Sequence, residues 1–297
     1  MSPTVTSTEL NLPLFAKGKV RDTYELPDDR LLMVATDRIS AFDWVLPTGI
    51  RSRGAVLTQL SIFWFEKTRE VLPNHLITGD TSGLPDSVRG DLDWLRLRSM
   101  IVKKAQRIDF ECVVRGYLAG SAWAEYRQQG TMAGEPLPSG MQQSQKLSEP
   151  LFTPATKADT GHDENVTYQY VADAIGEDLA SQLRDASLQL YTFGADYAEE
   201  RGLLLADTKF EFGLLDGKLI LIDEALTPDS SRYWDAATCR PGTAPDSYDK
   251  QPIRDWLSGS GWDKNSTPPS LPDEVVEESR RRYLKAYELL TGHPLAE

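Results

Sequence analysis

Apolar and polar positions are most sharply ordered between Leu203 and Trp234. The run LLLADTKFEF alternates after Ala206, so Asp207, Lys209 and Glu211 share one face of a strand while Phe210 and Phe212 share the other. A second run, KLILIDEAL, follows the Asp216-Gly217 turn signal and closes on the acidic pair Asp223 and Glu224. A two-residue loop between the runs would pair Leu215 with Lys218 and set Phe210 opposite Asp223. A three-residue loop ending on a left-handed Gly217 would pair Leu214 with Lys218 and Lys209 with Asp223. That register gathers Phe210, Phe212, Leu214, Ile220 and Ile222 on one face, which burial favours, so the pattern predicts the three-residue loop. Lys209, Glu211 and Asp223 then converge on the opposite face. A solvated charged ladder is the plain alternative, but two carboxylates beside one ammonium also suit a divalent cation and a phosphate.

Elsewhere the same patterning predicts a sequence of shorter elements. FAKGKVRD–TYEL and LLMVATD read as two strands across a Pro/Asp turn, with Gly18 in a loop leading into the first. A glycine flanked by Lys17, Lys19 and Arg21 there suits phosphate, because backbone amides approach closely and cations complete the neutralisation. ATDRISAFDWVLPTGI reads as a structured loop, and Gly54 to Val71 as a core helix through Leu57, Leu60 and Phe65. Residues 73–97 read as a connection in which Trp94 is a packing anchor. Ser99–Arg107 and Glu111–Tyr117 read as strands about the joint Ile108-Asp109-Phe110. Gly120 to Gly130 forms a short helix with Ser121 as N-cap and Gly130 as stop, an anion site in waiting downstream of Arg115. Residues 131–166 make one long polar loop. Helices follow at 167–175 and 178–201, then 240–272 is irregular, and a last helix spans 273–290.

Composition narrows the function. The 297 residues carry a net charge of −13, which disfavours general affinity for nucleic acid or an anionic membrane surface. No apolar run approaches membrane-spanning length and the first residues lack a signal core, so the expectation is a soluble, cytoplasmic protein. Two cysteines, Cys112 and Cys239, give neither a disulfide framework nor metal-ligand spacing, and three scattered histidines argue against a histidine zinc site.

Taken together, GKVRDTY (18–24), ATDRISAFD (35–43), ECVVRGYLAGSAW (111–123), TKADTGHDEN (156–165), DTKFEFG (207–213) and IDEALTPDSSRYW (222–234) resemble the blocks of the SAICAR synthetase family of purine biosynthesis. They occur in family order and run nearly end to end. Length and the ATDRISAFD form look like the longer, fungal-type members. The resemblance implies an α+β fold of two lobes, related to kinase and ATP-grasp architectures, with ATP between them. Residues 1–110 would form a sheet-rich nucleotide-covering lobe, and 111–297 a larger lobe carrying the metal and ribonucleotide sites.

The implied reaction joins L-aspartate to the carboxylate of a carboxylated aminoimidazole ribonucleotide (CAIR) at the expense of ATP, through an acyl phosphate, with Mg2+. Catalysis would fall to Lys209, Lys157 and Asp159. Lys19, Val20, Arg21, Phe110, Glu111, Cys112, Glu211 and Asp223 would bind ATP, with Glu211 and Asp223 holding the metal. Asp37, Arg38, Ser40, Arg115, Ser121 and Arg232 would line the ribonucleotide and aspartate sites. A monomer acting on small molecules, with no nucleic-acid or membrane partner, is implied. A kinase-like phosphotransferase and a non-catalytic nucleotide-binding module are the alternatives. The absence of HRD-like and GxGxxG loops counts against a protein kinase.

Overall fold

Short alternating runs build a first sheet within residues 14–103. The computed structural model describes residues 4–85, 88, 92–157 and 164–296, and every count below is of these described residues. β1 (Leu14–Lys17), β2 (Arg21–Leu26) and β3 (Arg30–Ala35) form a meander, followed by the small hairpin β4 (Ser40–Ala41) and β5 (Trp44–Val45). Helix α1 (Arg53–Lys67), β6 (Leu76–Thr78), the single turn α2 (Leu92–Leu95) and β7 (Ser99–Lys103) complete this part. The sheet order is β1-β2-β3-β7-β6, all antiparallel. In β3, Leu31 and Met33 point into the main core while Leu32 and Val34 point into a smaller one with Leu84, Val88, Leu95 and Ile101, so both faces are buried.

The second sheet begins at β8 (Gln106–Arg107) and β9 (Phe110–Tyr117), and helix α3 (Gly120–Gln129) follows. The segment expected as one long loop instead folds into β10 (Thr131–Met132), β11 (Glu135–Pro136), β12 (Lys146–Phe152) and β13 (Ala155–Thr156). β12 escapes a hydrophobicity reading because it is a half-exposed edge strand that contains Pro150 and shifts register against β9. Helices α4 (Tyr168–Ile175) and α5 (Glu177–Glu199) precede β14 (Leu203–Leu215), β15 (Lys218–Ile222) and β16 (Ser231–Asp235). Helix α6 (Gln251–Gly259), inside the stretch expected to be irregular, starts with a proline in its first turn, where a missing amide is no loss. Helix α7 (Asp273–Thr291) ends the fold.

β9 and β14 form the centre of the second sheet. Their inner faces, with Cys112, Val114, Phe210 and Phe212, pack on α5, α1 and α7 in the main core. The two sheets meet at Leu221, whose amide donates to Pro73 (2.9 Å) and whose carbonyl accepts from the His75 amide (3.1 Å).

The hairpin that joins β14 and β15 corrects the predicted register. Leu215 pairs with Lys218 and Glu211 with Ile222, so the loop is the two-residue Asp216-Gly217, with φ of 52° and 73°. Two consecutive left-handed residues make the turn whose twist matches the flanking strands, and that preference outweighs face purity. The apolar face is kept by Phe210, Phe212, Leu214, Leu219 and Leu221 rather than by the isoleucines.

Candidate active site

The face of the β9–β14 pair turned away from the main core carries the charge. Arg115 lies opposite Asp207 and Val113 opposite Lys209, which puts Glu111, Arg115, Asp207, Lys209 and Glu211 on one surface and turns Cys112 and Phe210 away from it. Asp223 joins them by a different route from the one expected. β15 ends at Ile222, and Asp223 adopts a left-handed φ of 63°. That breaks the alternation which would have buried its side chain opposite Phe210. Convergence of Lys209, Glu211 and Asp223 therefore holds, but a backbone reversal produces it, not the loop length.

Each charge in this patch has a named partner. Lys209 bonds Glu111 and lies 3.6 Å from Glu211, which also bonds Lys157. From the first sheet, Arg21 reaches across to Asp223 (2.5 Å) and Glu224 (3.2 Å). Thr227 Oγ1 donates to Glu224 at 2.7 Å. Burial disfavours the Lys209 ammonium, but Glu211, Glu111 and Asp223 outweigh it and hold its pKa above the ordinary lysine range. Burial would raise the Asp223 carboxyl, yet Arg21, Lys157 and Lys209 bring it below its usual value. Glu224 goes the other way, raised by burial despite Arg21. Glu224 was not among the expected site residues; its signal was only adjacency to Asp223.

At the other end of the face two arginines share one carboxylate. Arg115 donates to Asp207 (3.3 Å), to Thr153 Oγ1 (3.1 Å) and to Ser121 Oγ (3.2 Å), and Arg232 bonds Asp207 and lies 3.5 Å from Asp249. A side chain at Gly120 (φ 56°) would come within 2.8 Å of the Arg232 guanidinium, so glycine there lets α3 begin against it. The helix N-cap is Ala119 without a side-chain bond; Ser121 is inside the first turn and is engaged by Arg115 instead of capping. Asp207, the shared anchor, was visible in the alternation but was not read as a site residue.

The remaining expected residues divide. Lys19 and Val20 sit in the loop before β2, closed by a Gly18 N–H to Arg21 carbonyl bond of 2.8 Å. Lys19 is exposed and paired with Asp43 at 2.8 Å. Arg38 staples that loop by donating to the carbonyls of Gly18 and Lys19 (both 3.0 Å) and to Asp22 (2.7 Å). Asp37 is corrected from a pocket residue to a brace: it is fully buried, with oxygens taken by the Gly54 amide (2.9 Å), the Val5 amide (2.8 Å) and Arg98 (3.2 Å). Ser40 is half-buried in β4 opposite Val45. Phe110 is buried edge-on to Tyr170, 6.3 Å between centroids. The Cys112 thiol lies in the core, its pKa raised by burial, which leaves only its backbone for a ligand. Asp159 lies outside the described residues.

No three His, Cys, Asp or Glu side chains cluster as a metal cage among the described residues. Glu211 and Asp223 supply two hard carboxylates on one surface, which fits Mg2+, an ion bound through one or two carboxylates with phosphate oxygens and water completing its shell. It does not fit zinc.

Comparison with known proteins agrees over nearly the whole chain. The profile of the SAICAR synthetase family matches residues 14–269. The phosphoribosylaminoimidazole-succinocarboxamide synthase of Syntrophobacter fumaroxidans is 52% identical over 285 residues, 96% of this chain and 94% of the relative. That of Elusimicrobium minutum is 50% identical over 282 residues, 94% and 96% of the two chains. Among solved structures, the SAICAR synthase of Saccharomyces cerevisiae complexed with SAICAR superposes with a TM-score of 0.91 at 42% identity, covering 99% of this chain and all of that one. A SAICAR synthetase (Type-2) in complex with ADP gives 0.70 at 26% identity, covering 96% of this chain and 100% of that chain.

Proposed function

The chain belongs to the SAICAR synthetase family and is an ATP-dependent ligase of purine biosynthesis, and we propose that its three substrates meet on the charged face of β9 and β14. It has the α+β, two-lobed form of the longer, fungal-like members. The observation that carries the proposal is the meeting of Lys209, Lys157, Glu211, Glu111 and Asp223 with Arg21 from the other sheet. The ADP and SAICAR complexes of the related structures support ATP and CAIR as ligands of this site.

A carboxylate is a poor acyl donor because oxide would have to leave. Attack by a CAIR carboxylate oxygen on the γ-phosphorus of ATP breaks the bond to the β-phosphate oxygen and releases ADP, leaving an acyl phosphate. The aspartate amine then attacks the carboxyl carbon; the carbon–oxygen bond to phosphate breaks, and the amine gives up a proton. Lys209 and Lys157 hold the carboxylate and the transferring phosphoryl group close and offset their charge. Arg115, Ser121 and Arg232 take the ribonucleotide phosphate, where two guanidiniums already share Asp207. Lys19 and the Gly18 loop cover the ATP phosphates, and the 110–112 backbone borders the base. Magnesium, held by Glu211 and Asp223, would neutralise the phosphates. Residues 1–110 act as the covering lobe and 111–297 as the lobe that holds metal and ribonucleotide. In this reading the enzyme works as a monomer on small molecules in the cytoplasm.

Release of ADP, measured with CAIR and aspartate supplied separately and together, tests this. ADP should require CAIR, and the amide product should require all three substrates and Mg2+. ADP formation without CAIR, or full turnover without a divalent ion, overturns it.

A further inference from the structure

The β4–β5 hairpin is strained at its tip and held from two sides. Phe42 and Asp43 both have left-handed backbones, φ 50° and 64°, with neither being glycine. On one side Trp262 packs against Phe42 (6.2 Å) and Trp44 (6.4 Å), the Trp44 indole donates to the Lys264 carbonyl (3.0 Å), and the Lys264 ammonium sits 4.2 Å over the Phe42 ring. Lys264 is itself left-handed, φ 62°. On the other side Asp43 holds the Lys19 ammonium at 2.8 Å. Two regions more than two hundred residues apart in sequence therefore meet through one turn.

We infer that Asp43 is a positioning residue that parks Lys19 in competition with the ATP phosphates, and that the Trp262–Lys264 segment keeps that parking place in its strained form. This rests on Lys19 as a phosphate ligand. The Lys19–Asp43 pair is about half-exposed on both sides, 52% and 46%, so it is weak enough to be exchanged for a triphosphate. Arg38 pins the backbone carbonyls of Gly18 and Lys19, so the exchange is a swing of the Lys19 side chain rather than of the loop. A ligand that needs a minor state binds more weakly by that state's fraction, so the parked lysine raises the apparent KM for ATP without touching the chemical step.

Asp43→Asn keeps a residue tolerant of the left-handed turn while removing the charge. It should lower the KM for ATP by about two- to fivefold, the range of an exposed ion pair, with kcat unchanged. Trp262→Ala, or Lys264→Met should the first fold poorly, should lower it in the same direction. Combined with Asp43→Asn it should add nothing further. An unchanged or raised KM for ATP in Asp43→Asn sinks the parking role, and additive effects sink the link to Trp262. Lys19→Met separates the two levels. An unchanged ATP KM there would remove Lys19 from the phosphate site itself, whereas a raised KM beside an unmoved Asp43→Asn leaves that site standing and removes only the inference.

Discussion

Two buried ionic clusters lie on either side of the Thr227–Ser231 turn, and they differ in sign and in access. In the active-site patch three cations, Arg21, Lys157 and Lys209, face four carboxylates, Glu111, Glu211, Asp223 and Glu224. Behind the turn Arg53 and Lys250 face a single carboxylate, Asp229, which also accepts the Tyr283 hydroxyl at 2.8 Å. Lys209 and Asp223 keep 31% and 27% of their side-chain exposure, but Arg53 and Asp229 keep 0% and 4%. An excess of carboxylate around a partly accessible Lys209 and Asp223 is what a site for a divalent cation and phosphates needs. An excess of cation around the sealed Arg53–Asp229 pair has no ligand to receive and holds helices α1, α6 and α7 to the turn. Charge density alone does not mark function; spare valence with access does.

The largest effect should come from the sealed cluster. Asp229→Asn strands Arg53 and Lys250 without a counter-charge in the interior, and should cost about 3–5 kcal/mol in urea unfolding. Lys250, whose pKa burial already lowers against the pull of Asp229, would be pressed further toward neutrality. Activity of the folded fraction should change far less than its amount. A loss below about 1 kcal/mol would mean that the cluster is not a structural clamp.

Next comes the mirror experiment. Glu211→Gln removes one carboxylate from the side with the excess and leaves three carboxylates for three cations, so it should cost less stability than Asp229→Asn, while turnover falls about 10²- to 10³-fold. The check is kcat for amide formation across a magnesium series, alongside urea unfolding of the same preparation. A loss of stability matching that of Asp229→Asn would erase the distinction between the two clusters.

Much of this was legible in the residues. α1 and α5 follow from apolar spacing and the β2–β3 hairpin from its Pro/Asp turn, and the family blocks carry nearly all of the patch. Three kinds of feature were not. Asp223 reaches the site through a single left-handed residue, which no periodicity encodes, so the predicted loop length was wrong although its intended consequence held. Asp37 and Asp229 stand in charged motifs that read as ligand sites or as nothing; only the packing of Arg98 and Arg53 against them shows that they are braces. β12 and α6 went unseen because prolines and exposed faces blurred the pattern that tertiary contacts complete.

The smallest effect probes the boundary of the patch. His75 is buried at the junction of the two sheets, edge-on to Phe65 at 5.1 Å, and burial, aided by the charge of Arg21 and opposed by Asp223, depresses its pKa to about 3. Its unfolded value is near 6.5, so below that pH the unfolded chain takes up a proton that the folded one refuses, and stability falls as pH falls. The contribution is fully present above about pH 6.5 and drains away toward pH 3, and between about pH 7.5 and pH 5 it amounts to about 2 kcal/mol. Asp223, itself depressed, starts to titrate only below its unfolded value of 3.8, outside that interval. Glu224, raised by burial, acts in the opposite sense and is common to both proteins compared. Urea unfolding of the wild type and of His75→Gln at the two pH values isolates the histidine: the variant should lose about 2 kcal/mol less on acidification. Equal slopes would mean that His75 accepts its proton in the folded state. The rear of the patch would then be open to water, and the contrast in access between the two clusters would be smaller than their exposures imply.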